Sequence, residues 1–376
     1  MLEIFITFLR LGLIGFGGPI ALVSLIENEV CHNKKWIDYD KFTLIFSICK
    51  LLPGPLAVQV AICCGYQRGK RIGGLIAGIS FLLPALIMII VLGILYQHNL
   101  NTQSPHLSLI FAYMQNATIA VILLTLWSLA KLYIKNITSA LICLICLGLI
   151  YVVPNYEPLL IISFGFLGIL IYKITLHDLY YFPSVMLANI PKIFTTNSDL
   201  VYSKLINLFI ICIKAGEFSF GTGLAILPLL HADMVTHFAW LNERQFMDGI
   251  TLGQITPGPT TVSIVFFGFL IAGYKGLLVS LFGFYIPPLF NSLLIIPVFW
   301  DKLTSSSYLK VFTAWAFPAV IGGIASATIK LSHDAYIHYQ YILAILFALF
   351  FLQRKLLPVW AIIPLYGIIG YLVSYF

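Results

Sequence analysis

Leu51-Leu52-Pro53-Gly54-Pro55 stands inside a long apolar segment, and Ile255-Thr256-Pro257-Gly258-Pro259 stands in the corresponding place 204 positions later. Proline has no amide donor and pushes the residue before it out of the helical region, so two prolines around a glycine break any helix that contains them. In a membrane, broken backbone is tolerated only where protein buries it or where it lines a wet cavity. Both copies therefore read as parts of a solute pathway.

The surroundings are membranous. Of the 376 residues, 60% are hydrophobic and 9% charged, whereas a soluble domain carries roughly 25% charged residues. Long apolar runs recur throughout, which makes the chain an all-α polytopic membrane protein. Glu3 stands where a signal peptide would be basic, and the first run is long enough to span, so it is expected to remain as an anchor. Cys143-x-x-Cys146 has a redox or zinc spacing, but inside an apolar run it reads as a pair of small hydrophobes. The net charge of +7 calls for no nucleic-acid partner, because basic residues beside spans are ordinary topology determinants.

The apolar segments run approximately over 4–26, 42–66, 72–96, 107–130, 137–153 and 158–174, then over 205–230, 245–272, 276–300, 309–329, 335–352 and 356–375. A more polar connection separates the sets, giving a first half at 1–174, a connecting segment at 175–204 and a second half at 205–376. The halves are related. A shift of 204 places Arg10 on Lys214, Gly12 on Gly216, Phe16 on Phe220, Gly17 on Gly221 and Trp36 on Trp240. After a one-residue slip, Gly65 meets Gly268, Gly73 meets Gly276 and Pro84 meets Pro287. Composition bias would not align Trp, Pro and Gly in one register.

If all six segments of each half cross, the halves are parallel and the Lys and Arg residues outside segments divide ten to eight between the two faces. If each Pro-Gly-Pro segment dips in and returns, the halves are inverted and the division is fifteen to three. The second obeys the positive-inside rule. The expectation is thus an inverted repeat, with five spans and one broken or re-entrant Pro-Gly-Pro segment per half.

Arg10 and Lys214 lie inside segments, where a charge costs at least roughly 2.5 kcal/mol, so each is expected to face a cavity or a partner. Related by the repeat, they would repel near the midplane, and a bound dianion would relieve them. The plainer readings are that Arg10 snorkels to a headgroup and that Glu217, three positions on, neutralises Lys214 and is left to titrate when substrate takes the lysine. Lys50 stands beside the first Pro-Gly-Pro and matches Gln254; it is either an anion ligand or another snorkelling lysine.

Gly15-Phe16-Gly17-Gly18-Pro19 and Ser219-Phe220-Gly221-Thr222-Gly223 favour further breaks, and a helix that restarts presents its positive end to the cavity. Thr256 is expected as an N-cap with Pro257 at the first helical position, and Gly258, Pro259, Thr260 and Thr261 follow. Gln59 adds a neutral donor. No Gly-x-Ser-x-Gly, Walker or His-Glu-x-x-His pattern is present. The isolated His231-x-Asp233 and the loop residues His98 and His106 suggest no metal site, so neither an enzyme nor a cofactor is expected.

These motifs resemble the chromate transporter family in its long two-domain form. In the first half the resemblance rests on Phe8-Leu9-Arg10-Leu11-Gly12, Phe16-Gly17-Gly18-Pro19 and Leu51-Leu52-Pro53-Gly54-Pro55 with Gln59. In the second it rests on Lys214-Ala215-Gly216, Gln245-Phe246-Met247-Asp248-Gly249-Ile250 and Gly253-Gln254-Ile255-Thr256-Pro257-Gly258-Pro259. The resemblance implies a multi-pass secondary transporter of the cell membrane that moves chromate, usually as efflux conferring resistance. Sulfate or another anion is the alternative substrate, and a non-transporting membrane scaffold is the alternative class. The implied partners are the oxyanion and the lipid bilayer, with a homo-oligomer left open. The chain departs from the family at Lys50, where glutamine is common, at Ile20-Ala21-Leu22, where a histidine is common, and at Thr222, where glycine is usual.

Overall fold

The computed structural model describes residues 1–100, 105–175, 200–219, 221, 223–332 and 339–375. Most of the connecting segment, together with Phe220 and Thr222, lies outside the described residues. Every regular element among the described residues is helical.

The first half begins with α1 (Leu2–Ile14) and α2 (Gly18–Glu27), followed by α3 (Tyr39–Leu51) and the long α4 (Leu56–Leu100). It closes with α5 (Pro105–Tyr133), α6 (Ile137–Val152) and α7 (Glu157–Thr175). The second half repeats this order with α8 (Leu200–Phe218), α9 (Leu227–His231), α10 (Glu243–Ile255), α11 (Ser263–Phe290), α12 (Ser307–Leu331), α13 (Tyr339–Gln353) and α14 (Val359–Val373). Among the described residues, five helical stretches are long and apolar enough to cross a membrane, namely Leu56–His98, His106–Tyr133, Glu157–Ile174, Thr260–Val298 and Ser307–Leu331.

Both Pro-Gly-Pro segments fold back on themselves. Helix α4 turns sharply at Gly69 and Lys70, and its two arms lie side by side, with Gly65 packed on Gly73 and Ala77, and Ile62 packed on Gly78. Residues sixteen apart would be about 24 Å apart along one straight helix. The arm at 56–68 therefore returns toward the face from which α3 enters: the Arg68 guanidinium lies 5.7 Å from the centre of the Trp36 ring. In α11 the same turn falls at Ala272 and Gly273, and Gly268 packs on Gly276 and Ser280.

The first segment folds back in the same way, although its apolar run is of spanning length. Lys34 Nζ lies 3.4 Å from Glu3 Oε1, although a straight helix would hold residues 3 and 34 about 46 Å apart. Arg68 reaches the same carboxylate at 3.7 Å. Helices α1 and α2 thus form a second in-folded pair beside α3 and the first arm of α4. The reason is the break at Gly15–Gly17: an apolar run of spanning length does not span once a left-handed glycine, Gly17 at φ 106°, turns it round. In the second half Lys204 packs over Trp240 at 5.7 Å, bringing the start of α8 to the end of its own pair.

The inverted relation holds. Along the second arm of α4, Gly74 meets Leu293, Gly78 meets Leu289 and Gly93 meets Phe266 and Phe269, so the partner sequence runs backward. The second half thus enters from the opposite face. The terminal helices then cross over. Gly165 and Gly168 of α7 pack under Phe312 and Trp315 of α12, and Cys143 and Cys146 of α6 pack against Gly322. Reciprocally, Gly367 and Gly370 of α14 pack on Met114 and Ile110 of α5. Small residues allow these close approaches.

This geometry makes a topology prediction. In a cysteine-free background, Lys35→Cys and Arg71→Cys should react with an impermeant maleimide from one face of sealed vesicles. Lys275→Cys should react only from the other; labelling of Lys35→Cys and Arg71→Cys from opposite faces would refute the in-folded pairs.

Candidate anion site between the broken helices

Each broken tip is held by the other half. The Gly54 amide donates to the Ser219 carbonyl at 2.9 Å, and the Gly258 amide donates to the Gly15 carbonyl at 2.5 Å. Ser219 and Gly15 match under the repeat, so the two bonds are one interaction made twice. Both glycines have left-handed backbone, φ 132° at Gly54 and 87° at Gly258. A side chain at Gly54 would also collide with Gln59.

Four helical starts surround the point where the tips meet. A small recess is lined by Gly18, Pro55, Leu56, Gly223, Thr260 and Thr261; Gly18 and Leu56 open α2 and α4, while Gly223 and Thr260 open the short 3-10 turns that lead into α9 and α11. First-turn amides have no acceptor within their own helix, and the aligned peptide dipoles place partial positive charge there. Such ends attract anions, and broken transporter helices use them in this way.

The Gly54 and Gly258 amides are spent on the opposing carbonyls, and Leu56 and Thr260, each just past a second proline, line the cavity. Thr256 is a C-cap rather than an N-cap: Pro257 forces it to an extended ψ of 141°, and its hydroxyl donates back to the Gly253 carbonyl at 2.8 Å. The next helix starts only past the second proline, with Pro259 as its N-cap.

Gln59 donates to the Pro53 carbonyl at 2.6 Å and so stiffens the first tip, while its own Oε1 is buried with no partner among the described residues. Glu217 does not pair with Lys214. Instead Asn291 bridges the Glu217 carboxylate at 3.4 Å and the Pro53 carbonyl at 3.3 Å. Lys214 donates to Asp233 at 2.9 Å. Arg10 is exposed on α1 and makes no ion pair among the described residues.

Lys50 lines a larger recess of about 470 Å³ that also reaches Gly221 and Leu56 at the tips. Its ammonium lies 5.1 Å from the Tyr133 ring and 6.0 Å from Phe46, and Tyr133 stacks on Phe317 at 4.1 Å. No carboxylate pairs with Lys50 among the described residues. Its counterpart Gln254 borders a smaller recess of about 270 Å³ that also touches Gly223 and Thr260.

Several polar residues were not legible as site residues. Asp248 accepts from Tyr96 at 2.7 Å and from Gln115 at 2.8 Å, fastening α10 to the first half. Asp233 and His231, read from sequence as isolated, both have partners, with His231 2.8 Å from Glu243. The only signal for Asp248 was its place in the string running into the second Pro-Gly-Pro.

In-folded helix pairs, inverted halves and a cavity ringed by helix starts define a polytopic membrane protein of the broken-helix transporter class. The sequence comparisons narrow it: the family model described as Chromate transporter matches residues 2–170 and again 206–371. The chain belongs to the chromate transporter family. A chromate transport protein of Cupriavidus metallidurans is 30% identical over 334 residues, covering 88% of this chain and 82% of the relative. A probable chromate transport protein of Synechococcus elongatus is 29% identical, covering 87% and 84%. A shorter uncharacterized transporter of Bacillus subtilis is 31% identical over 135 residues, or 36% of this chain and 74% of its own length. No solved structure matches the chain.

The crossed tips can be tested directly. Gly258→Ala places a Cβ on a left-handed backbone and should lower stability by about 1–3 kcal/mol, read as a reduced melting temperature in detergent. Asp233→Asn should also destabilise, by removing the ionic partner of Lys214.

Proposed function

We propose that the chain is a secondary transporter that carries chromate, a tetrahedral dianion, across the cytoplasmic membrane, with efflux as its working direction. The convergence of four helix starts on one small cavity carries this reading, because it offers positive potential and amide donors, and no carboxylate among the described residues lines it. The family and the named chromate transport relatives supply the substrate. Sulfate has the same charge and shape, so the cavity by itself discriminates the two poorly.

In this reading Lys50 collects the anion in the recess at the first tip, and Gly18, Gly54–Pro55, Thr256–Pro259 and their following amides form the wall it crosses. Gly17, Gly221, Pro53, Pro257, Gln59 and Gln254 hold the broken backbone in shape. Arg10 raises the local positive potential, and Lys214 serves the anion when it leaves Asp233. Glu217 sets the charge beside the first tip through Asn291.

The deciding measurement is transport of labelled chromate and labelled sulfate in cells or proteoliposomes containing the chain. Chromate should move and cells should gain chromate resistance; movement of neither ion would end the transport reading. Lys50→Gln, which copies the second tip, should weaken chromate affinity on the order of tenfold. A charge pair at 4 Å with an effective dielectric of about 20 is worth about 4 kcal/mol before desolvation, and 1.4 kcal/mol already corresponds to tenfold. An unchanged affinity in Lys50→Gln would remove that residue from the pathway.

A further inference from the structure

The first tip gathers oxygen atoms that the second does not. The Pro53 carbonyl, just past the end of α3, accepts from Gln59 Nε2 at 2.6 Å and from Asn291 Nδ2 at 3.3 Å, and the same Asn291 nitrogen reaches the Glu217 carboxylate at 3.4 Å. Both Asn291 contacts are longer than ordinary N–H···O bonds. One neutral amide is thus stretched between two strong acceptors. Gly54 brings two more oxygens alongside: a side chain there would run into the Gln59 amide, and its own amide donates to the Ser219 carbonyl. Gln59 and Ser219 are both 0% exposed, yet Gln59 Oε1 and Ser219 Oγ have no hydrogen-bond partner among the described residues. Buried oxygens of this kind call for a partner. No basic side chain supplies one, since Glu217 makes no ion pair among the described residues.

Two helix ends meet at this point, because α3 stops at Leu51 and α8 at Phe218. The last carbonyls of a helix lack acceptance partners within it and carry partial negative charge, the complement of the helix starts that face the anion recess. In broken-helix transporters, unwound carbonyls and helix C-terminal ends of this kind hold Na⁺. A requirement common to both tips would recur under the repeat, but Leu13, Gly15 and Met88 stand where the first tip has Glu217, Ser219 and Asn291. The oxygens therefore do more than hold broken backbone in place. A single carboxylate among neutral oxygens matches a monovalent ion, whereas hard divalent ions draw on more carboxylates or retained water. We propose that the Pro53 carbonyl, Gln59 Oε1, the Glu217 carboxylate and Ser219 Oγ form a Na⁺ site, with the ion taking the bridging place that the Asn291 nitrogen now fills. Bound Na⁺ ties the end of α3 to the end of α8 and neutralises Glu217 beside the anion recess. The site stands on these oxygens, whichever anion the chain carries.

The test uses Na⁺ alone as the probe, on the purified full chain with no oxyanion present and with choline replacing Na⁺ at constant chloride. Binding of radioactive Na⁺ and the melting temperature are followed together. Na⁺ should bind saturably and raise the melting temperature, as any ligand of the folded state does. Glu217→Gln should raise the half-saturating Na⁺ concentration by about tenfold or more, the loss of one ionic ligand. Ser219→Ala keeps the backbone bond to Gly54 and should raise it several-fold; it decides the matter if Glu217→Gln does not accumulate. Glu29→Gln removes an exposed carboxylate that bonds Asn33 far along the chain from this tip, and should leave the wild-type response intact. No saturable Na⁺ binding in wild type, or a half-saturation unchanged in Glu217→Gln or in Ser219→Ala, overturns the proposal. Failure here leaves the transport reading standing, and failure of the chromate assay leaves this site standing.

Discussion

The structure depends on two backbone hydrogen bonds that cross between the halves, Gly54 to Ser219 and Gly258 to Gly15. A broken helix inside a membrane leaves peptide groups without partners, and each such group costs several kcal/mol in hydrocarbon. Here each half supplies the missing partner of the other. Neither tip is satisfied alone, which ties the fold of the two halves together. The same bonds consume the glycine amides.

The repeat gives near symmetry, and the chemistry lies in its violations. Lys214 has Asp233, but the equivalent Arg10 makes no ion pair among the described residues. Lys50 stands where the second half has Gln254, and its recess is the larger one. Asp248, whose place in the first half is taken by Leu44, binds Tyr96 and Gln115 and so fastens α10 to the first half. A symmetric pore would present the same barrier to both faces. These substitutions give each face a different charge and a different grip.

Packing explains why the halves cannot separate. Each terminal helical pair lies on the long helix of the opposite half, α6 and α7 on α12, and α13 and α14 on α5. Glycines at the crossings admit large aromatic partners such as Phe312 and Trp315. In lipid there is no hydrophobic drive between helices, so close approach of small and large side chains carries the association.

Sequence alone determined the helical membrane class, the duplication, the inverted relation and the breaks at Gly15–Gly17 and at both Pro-Gly-Pro motifs, because proline, glycine and charge placement act locally or through topology. It also placed Lys50, Gly54 and Gly258 at the tips. Only the tertiary structure decided that the first segment folds back, since a break says nothing about the direction in which the chain leaves it; the contact of Glu3 with Lys34 does. It likewise decided the partners: Lys214 went to Asp233 nineteen residues away rather than to Glu217 on its own helix, because a turn of backbone between α8 and α10 brought the more sheltered carboxylate within 2.9 Å. Spacing along one helix is readable from sequence, whereas which of two carboxylates reaches an ammonium is settled by how separate elements pack.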